Sequence, residues 1–273
     1  MTIGFVGAGR MGQPMVDRLV RGELEVSVFS RSAVDATSSA GAVRTVRNIA
    51  GVASDAQAVV VCVHTDEQVR SICLDDGLVA SMRAGSVLVV HTTGSPFTVR
   101  DIELAAAQHG VEVVDAPVSG GPHDIAAGKI TTFVGGRREA VDKARAVLGC
   151  YSDPILHVGG LGSGQLTKLV NNTIFASNVA VLNAAGQLGS KLGLDETTLI
   201  ECLKLGSARS AALDSVARAG SSAGFVKSVG EFLVKDIAVV RDVATELGVE
   251  LGMLESVLTD PVHIPIPETQ EVP

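Results

Sequence analysis

Apolar residues in the first part of the chain come in short bursts separated by polar or helix-forming stretches: Thr2–Val6, Glu25–Phe29, Val59–Val63, Val87–His91, Val111–Asp115, Ile130–Val134 and Ile155–Val158. Strands alternating with helical segments predict an α/β fold with a doubly wound sheet, since such strands need helical cover on both faces. After Gly159-Gly160-Leu161-Gly162 the period changes. Ser163 to Leu192 contains no proline, keeps apolar residues at helical spacing and closes on Gly193, which predicts one long helix opening a second domain. Helical segments over Glu196–Leu205, Ala211–Ala219 and Phe232–Leu247 follow with few strand signals, so this domain reads as all-α. Gly220–Gly224 reads as a loop, and the proline-rich stretch from Pro261 to Pro273 is unsuited to a regular helix.

Composition narrows the partners. The 273 residues, 46% hydrophobic and 19% charged, suffice for about two domains with buried cores. A formal charge of -8 without any long basic stretch argues against nucleic acid or an anionic membrane surface as partner, though not against a small anionic substrate. The apolar runs are far shorter than the roughly 20 residues that cross a bilayer, so no membrane span is expected. Cys62, Cys73, Cys150 and Cys202 lack the paired spacing of a metal knuckle, and no leader-like stretch precedes the first strand. A reducing, cytoplasmic setting without a bound metal is the expectation.

Candidate chemistry begins at the first turn. Gly7-Ala8-Gly9-Arg10-Met11-Gly12 directly follows an apolar strand and precedes Pro14-Met15-Val16-Asp17-Arg18-Leu19-Val20, which has helical periodicity. In a dinucleotide site Gly7 allows the tight turn, Gly9 lets the backbone approach a pyrophosphate and Gly12 lets the helix pack on the strand, while the helix N-terminus attracts the anion. The expectation is a Rossmann-type NAD(P)-binding domain over residues 1–162 and an all-α domain over 163–273, opened by the interdomain helix. Where the second strand ends, an NAD site usually places an acid against the ribose 2′-hydroxyl, but this chain has Ser30-Arg31-Ser32. A guanidinium there, with two hydroxyls, suits a 2′-phosphate, so NADP is preferred over NAD.

Four ordered segments span most of the chain: Gly4-Phe5-Val6-Gly7-Ala8-Gly9-Arg10-Met11-Gly12-Gln13-Pro14-Met15; Asp115-Ala116-Pro117-Val118-Ser119-Gly120-Gly121; Gly162-Ser163-Gly164-Gln165-Leu166-Thr167-Lys168-Leu169-Val170-Asn171-Asn172; and Lys235-Asp236. Together they resemble the β-hydroxyacid dehydrogenases, the 3-hydroxyisobutyrate dehydrogenase-like family that includes semialdehyde reductases and has a C-terminal domain like that of 6-phosphogluconate dehydrogenase. The resemblance implies hydride transfer between NADP(H) and a small β-hydroxy acid or the corresponding aldehyde. It makes Lys168 the general acid/base and Asn172 its positioning partner, with Ser119, Gly120 and Gly121 binding the substrate's carboxylate and hydroxyl. Thr93 would contact the cofactor near its reactive end, Lys235 would close the site over the nicotinamide, and Val63 and His64 would face the cofactor from a strand end. A homodimer or higher homo-oligomer is implied as well, with residues 163–273 as the substrate and dimerisation domain.

The chemistry of Lys168 also stands on its own. A carbonyl that accepts a hydride gathers negative charge on oxygen, which an ammonium stabilises and then protonates; in the oxidising direction the neutral amine takes the proton. Lys168 and Asn172, four apart, share one face of the predicted helix. Apolar neighbours Leu169, Val170, Ile174 and Phe175 would disfavour the charged amine and assist base chemistry. Two other readings compete: an imine reductase on the same fold, and a nonenzymatic dinucleotide-binding module. Relatives of both kinds generally lack this lysine. His64, His91 and His123 have no metal-ligand spacing, and His123, beside the substrate loop, would tune substrate choice. The sequence departs from the family in three places: Phe225 stands farther from Lys235 than usual, Ala184 replaces a frequent glutamate, and the chain ends soon after the Val243–Leu258 region, which would alter the dimer or leave one side of the pocket open.

Overall fold

The structure, a computed structural model, describes residues 1–29 and 43–259. Ser30, Arg31 and Ser32, and the proline-rich stretch from Pro261, lie outside the described residues. The chain divides into two compact units, Met1–Lys168 and Leu169–Pro273.

The first unit holds nine strands among the described residues: β1 (Thr2–Val6), β2 (Glu25–Phe29), β3 (Val43–Thr45), β4 (Ala58–Val61), β5 (Val87–Val90), β6 (Glu112–Asp115), β7 (Val118–Ser119), β8 (Ile130–Gly135) and β9 (Ser152–Gly159). They form one sheet in the order β3-β2-β1-β4-β5-β6-β8-β7, with β9 also paired to β8. From β3 to β6 every pairing is parallel, with Ile3 opposite Val26 on one side and Ala58 on the other. β8 then runs antiparallel to β6 and β7. The doubly wound expectation holds, and the strand order reverses between β1 and β4, where open α/β sheets bind ligands.

Helices α1 (Gly12–Arg21), α2 (Ala50–Ala53), α3 (Asp66–Arg70), α4 (Leu78–Ser81), α5 (Pro96–Ala107), α6 (Pro122–Ala127) and α7 (Arg138–Leu148) connect these strands. Buried residues alternate between two cores along each strand. Ile3, Phe5, Val28 and Val60 pack with Met15, Val16 and Leu19 of α1 on one face; Val6, Val59, Val61 and Val90 pack with Val99 and Ile102 of α5 on the other. Each such aliphatic or aromatic side chain contributes roughly 1.5–3 kcal/mol by leaving water.

The division between units falls within α8 (Ser163–Lys191); α9 (Glu196–Leu205), α10 (Ala211–Ala219), α11 (Ser222–Leu247) and α12 (Met253–Thr259) follow. The all-α expectation holds. The loop expected at Gly220–Gly224 is corrected: α11 begins at Ser222, because the Ser221 side chain accepts a hydrogen bond from the Gly224 amide and caps the helix. Phe175 and Phe225 meet edge to face with centroids 6.0 Å apart in a core with Val179, Leu213 and Val216. Among the described residues no helix is long and apolar enough to cross a membrane.

Candidate active site

The glycine turn is built as its sequence demands. Gly7 sits at φ +96°, and a Cβ on it would lie 2.2 Å from the Cys62 carbonyl oxygen; one on Gly12 would lie 2.1 Å from the Gly7 carbonyl oxygen. Only glycine fits either place. Gly9 differs, since a Cβ there meets nothing within 4 Å. Its backbone therefore faces open space beside Ala8, Arg10, Met11 and the start of α1. This arrangement, two closed glycines and one open one at a helix N-terminus, fits a dinucleotide pyrophosphate.

The neighbouring strand ends are tied to one another. Past β4, Val63 is held by the Thr92 hydroxyl, which accepts from the Val63 amide at 2.9 Å and donates to its carbonyl at 3.0 Å. The His64 amide donates to the Gln68 side chain at 3.0 Å, and His64 itself is exposed. Thr93, half-buried past β5, lies between two fixed neighbours. Gln165 donates to the Thr92 carbonyl at 2.8 Å and accepts from the Gly94 amide at 3.0 Å.

The start of α8 is seated on the end of β6. The fully buried carboxylate of Asp115 accepts from the Gly162 amide at 2.8 Å through one oxygen and from the Gln165 amide at 2.7 Å through the other. Burial pushes the Asp115 carboxyl above the ordinary carboxylate range, opposed by these amide hydrogen bonds. The contact is close on both sides: a Cβ on Gly135 would lie 2.3 Å from one Asp115 oxygen, and a Cβ on Gly164 2.7 Å from the other. Lys168 is one turn further along, half-buried, in the same compact unit.

On the substrate loop Ser119 pairs with Thr131 across β7 and β8, and Gly120 at φ +131° takes a conformation that favours glycine. The Gly121 amide is engaged by the Asp124 carboxylate at 2.7 Å, so it is not offered outward. His123 is exposed and lies 3.3 Å from Asp124. Beneath this loop, buried His91 donates from Nδ1 to the Ala116 carbonyl at 2.6 Å and accepts at Nε2 from Tyr151 at 2.8 Å. Burial holds the imidazole down to about 4, hence neutral.

Within the second unit Asn172 is buried and donates to Asp236 at 2.5 Å, and the Lys235 ammonium lies 3.3 Å from the same carboxylate. Asn172 follows Lys168 by one turn of α8. The apolar surroundings expected for Lys168 need correction in part: Leu169 is buried and Phe175 half-buried, but Val170 is 65% and Ile174 47% exposed, and at about 3.6 residues per turn these two point away from the lysine's side of the helix. Asp115, Gln165, His91 and Asp236 were not assigned roles from the sequence. Among the described residues no cluster of three or more His, Cys, Asp or Glu side chains could hold a metal ion.

Comparison with known proteins follows this division. The profile of the NAD binding domain of 6-phosphogluconate dehydrogenase matches residues 2–159, and that of the NAD-binding region of NADP-dependent 3-hydroxyisobutyrate dehydrogenase matches residues 162–259. The chain is 35% identical over 215 residues to the NAD-dependent L-serine dehydrogenase of Pseudomonas aeruginosa, covering 78% of this chain and 72% of that protein. It is equally similar, with the same coverage, to the 3-hydroxyisobutyrate dehydrogenase of that organism. Among solved structures, the Mycobacterium tuberculosis 3-hydroxyisobutyrate dehydrogenase with L-serine superposes with a TM-score of 0.81 at 27% identity, covering 94% of this chain and 91% of the other.

Proposed function

The chain belongs to the β-hydroxyacid dehydrogenases, a family of NAD(P)-dependent oxidoreductases, and on that premise we propose that it oxidises a small β-hydroxy acid reversibly with Lys168 as general acid/base. The observation that carries the reading is the seat of α8: Asp115 and Gln165 fix the helix turn before Lys168 onto the same sheet edge that bears the glycine turn and Thr93.

Bound dinucleotide would supply the two-electron acceptor, held by Gly7, Ala8, Gly9, Arg10, Met11 and Gly12 with Val63, His64 and Thr93 alongside. Ser119 and Gly120 would hold the substrate's carboxylate and hydroxyl. Gly121 joins them once its amide leaves Asp124. In oxidation the neutral amine of Lys168 takes the hydroxyl proton as the carbon loses its hydrogen with the electron pair. In reduction the ammonium stabilises the charge building on oxygen and returns the proton. Asn172, anchored through Asp236, would orient the amine or the hydroxyl, and Lys235 would close the site. Arg31, flanked by Ser30 and Ser32, supports NADP over NAD, a preference that departs from the NAD-dependent name of the L-serine dehydrogenase relative.

A homodimer is the assembly we propose. Val170, Ile174, Val181 and Leu188, each 47–65% exposed, are spaced by four and seven residues and so form one stripe along α8, on the side away from Lys168. An exposed apolar stripe of this kind marks an interaction surface.

Purified protein assayed with 3-hydroxyisobutyrate, L-serine, semialdehydes and cyclic imines, each with both cofactors, tests the substrate class. Lys168→Ala is expected to lose turnover by at least about a hundredfold, the low end of general acid/base contributions, while keeping cofactor binding. Turnover of imines alone would favour the imine reductase reading, and no turnover of any substrate would favour a binding module. Arg31→Asp should shift relative affinity from NADPH towards NADH; an unchanged ratio rejects the role of Arg31.

A further inference from the structure

We propose that Gln165 is a positioning residue for proton transfer, holding the Thr93 loop and the helix turn that bears Lys168 in one register. This rests on the reading of Lys168 as the group that moves the proton.

Gln165 is 1% exposed, and both ends of its amide are engaged. Its oxygen accepts from Gly94 and its nitrogen donates to Thr92, so the side chain straddles Thr93 as a neighbouring strand would. The amide's orientation is fixed by its partners, since an N–H faces one end and a carbonyl the other. The loop is held equally from its far side. Asp66 accepts from the Ser95 amide at 3.1 Å and from the Thr98 hydroxyl, and it crowds Gly94 so closely that a Cβ there would lie 1.9 Å from its oxygen.

Helix capping does not require this side chain. Asp115 already accepts from the Gly162 and Gln165 amides, and Gly164 is pressed against β6 and β8. An apolar side chain of similar length would fill the same space but leave the Gly94 amide and the Thr92 carbonyl without partners. What the amide adds is geometric: it ties one backbone segment, Thr92 to Gly94, to a point three residues before Lys168. The rise between those positions is about 4.5 Å along a rigid helix, so a displacement at Gln165 reaches the lysine nearly whole. A misplacement on the order of 1 Å at a reacting group can cost about a hundredfold in rate.

The test compares wild type, Gln165→Leu, Gln165→Glu and Lys168→Ala, with 3-hydroxyisobutyrate or L-serine as substrate. Gln165→Leu should lower kcat about 10- to 100-fold with the dissociation constant of the dinucleotide changed little, and the thermal midpoint should fall because the buried Gly94 amide and Thr92 carbonyl lose their partner. Gln165→Glu adds a readout that a packing role would not move. Its ionised carboxylate repels the Thr92 carbonyl, whereas its protonated form restores one donor and one acceptor, so kcat relative to wild type should climb as pH falls. Wild-type kcat in Gln165→Leu, or a loss of cofactor affinity as large as the loss of kcat, overturns the positioning role. A flat pH ratio in Gln165→Glu overturns it too, even if the leucine variant does not fold. Turnover retained by Lys168→Ala instead sinks the reading of Lys168, so the two failures are distinct.

Discussion

Replacing His91 with leucine should make the sheet-bearing unit less stable at neutral pH but less sensitive to acid. The ring is 3% exposed and makes two buried hydrogen bonds, from Nδ1 to Ala116 and at Nε2 from the wholly buried Tyr151. Burial holds the imidazole down to about 4, against 6.5, with the Ala116 hydrogen bond opposing. The unfolded chain therefore takes up a proton as pH falls through 6.5, whereas the folded unit does not until about 4. The stability this neutral ring contributes is present above 6.5 and is lost across that window. At about 1.36 kcal/mol per pH unit the loss amounts to about 3 kcal/mol. Leucine does not titrate, but it leaves the Tyr151 hydroxyl and the Ala116 carbonyl without their partner, at about 1–3 kcal/mol each. The variant should thus be about 2–6 kcal/mol less stable at pH 7.5, and the gap should narrow by about 3 kcal/mol by pH 4. The chain has one tyrosine and no tryptophan, so intrinsic fluorescence during urea unfolding reports on Tyr151 alone. A gap of constant size from pH 7.5 to 4 would refute the neutral, doubly bonded histidine.

Two glycines of the same turn should respond differently to alanine. Gly12→Ala places its Cβ 2.1 Å from the Gly7 carbonyl and should lower both the thermal midpoint and dinucleotide affinity, whereas Gly9→Ala meets open space and should weaken only binding; equal midpoints for the two variants would contradict the packing argument. Gly164→Ala should destabilise the first unit by about 1–3 kcal/mol, since its Cβ would sit 2.7 Å from Asp115 Oδ2 and from the Phe133 carbonyl, which urea unfolding checks. Leu188→Glu, on the exposed stripe of α8, should shift sedimentation velocity towards monomer with turnover per folded chain measured alongside; an unaltered sedimentation coefficient would remove the stripe from the interface.

Much of the fold was legible because its signals are local. β1 and β2 match the expected residues, since a run of buried apolar positions between turns leaves few alternatives, and α9 and α10 match because Asp195 and Ser210 cap them. β3 and β7 escaped notice. They span three and two residues and are half-buried or exposed, too short and too open for a pattern to form. The antiparallel insertion of β8 was equally invisible, because direction depends on pairing with β6 and β7 and not on composition. The glycine turn could be read because each glycine answers a steric demand within a few residues of itself. Gln165 and Asp115 stood in the quoted motifs without a role, because their partners lie 47 to 73 residues away.

A signal for those distant partners was nonetheless present. A buried polar group needs a hydrogen bond, so a polar residue at the end of an otherwise buried strand must find its partner in the turns around it. His91 and Thr92 directly follow the valine-rich β5, and Asp115 ends β6 after Val113 and Val114. Each bonds to a segment holding a proposed site residue: Thr92 to Val63, His91 to Ala116 at the root of the Ser119 loop, and Asp115 to the helix turn before Lys168. The side chains that end these two strands thus fix the backbone on which the proposed chemistry depends. Substitutions at them should disturb turnover without any contact to substrate.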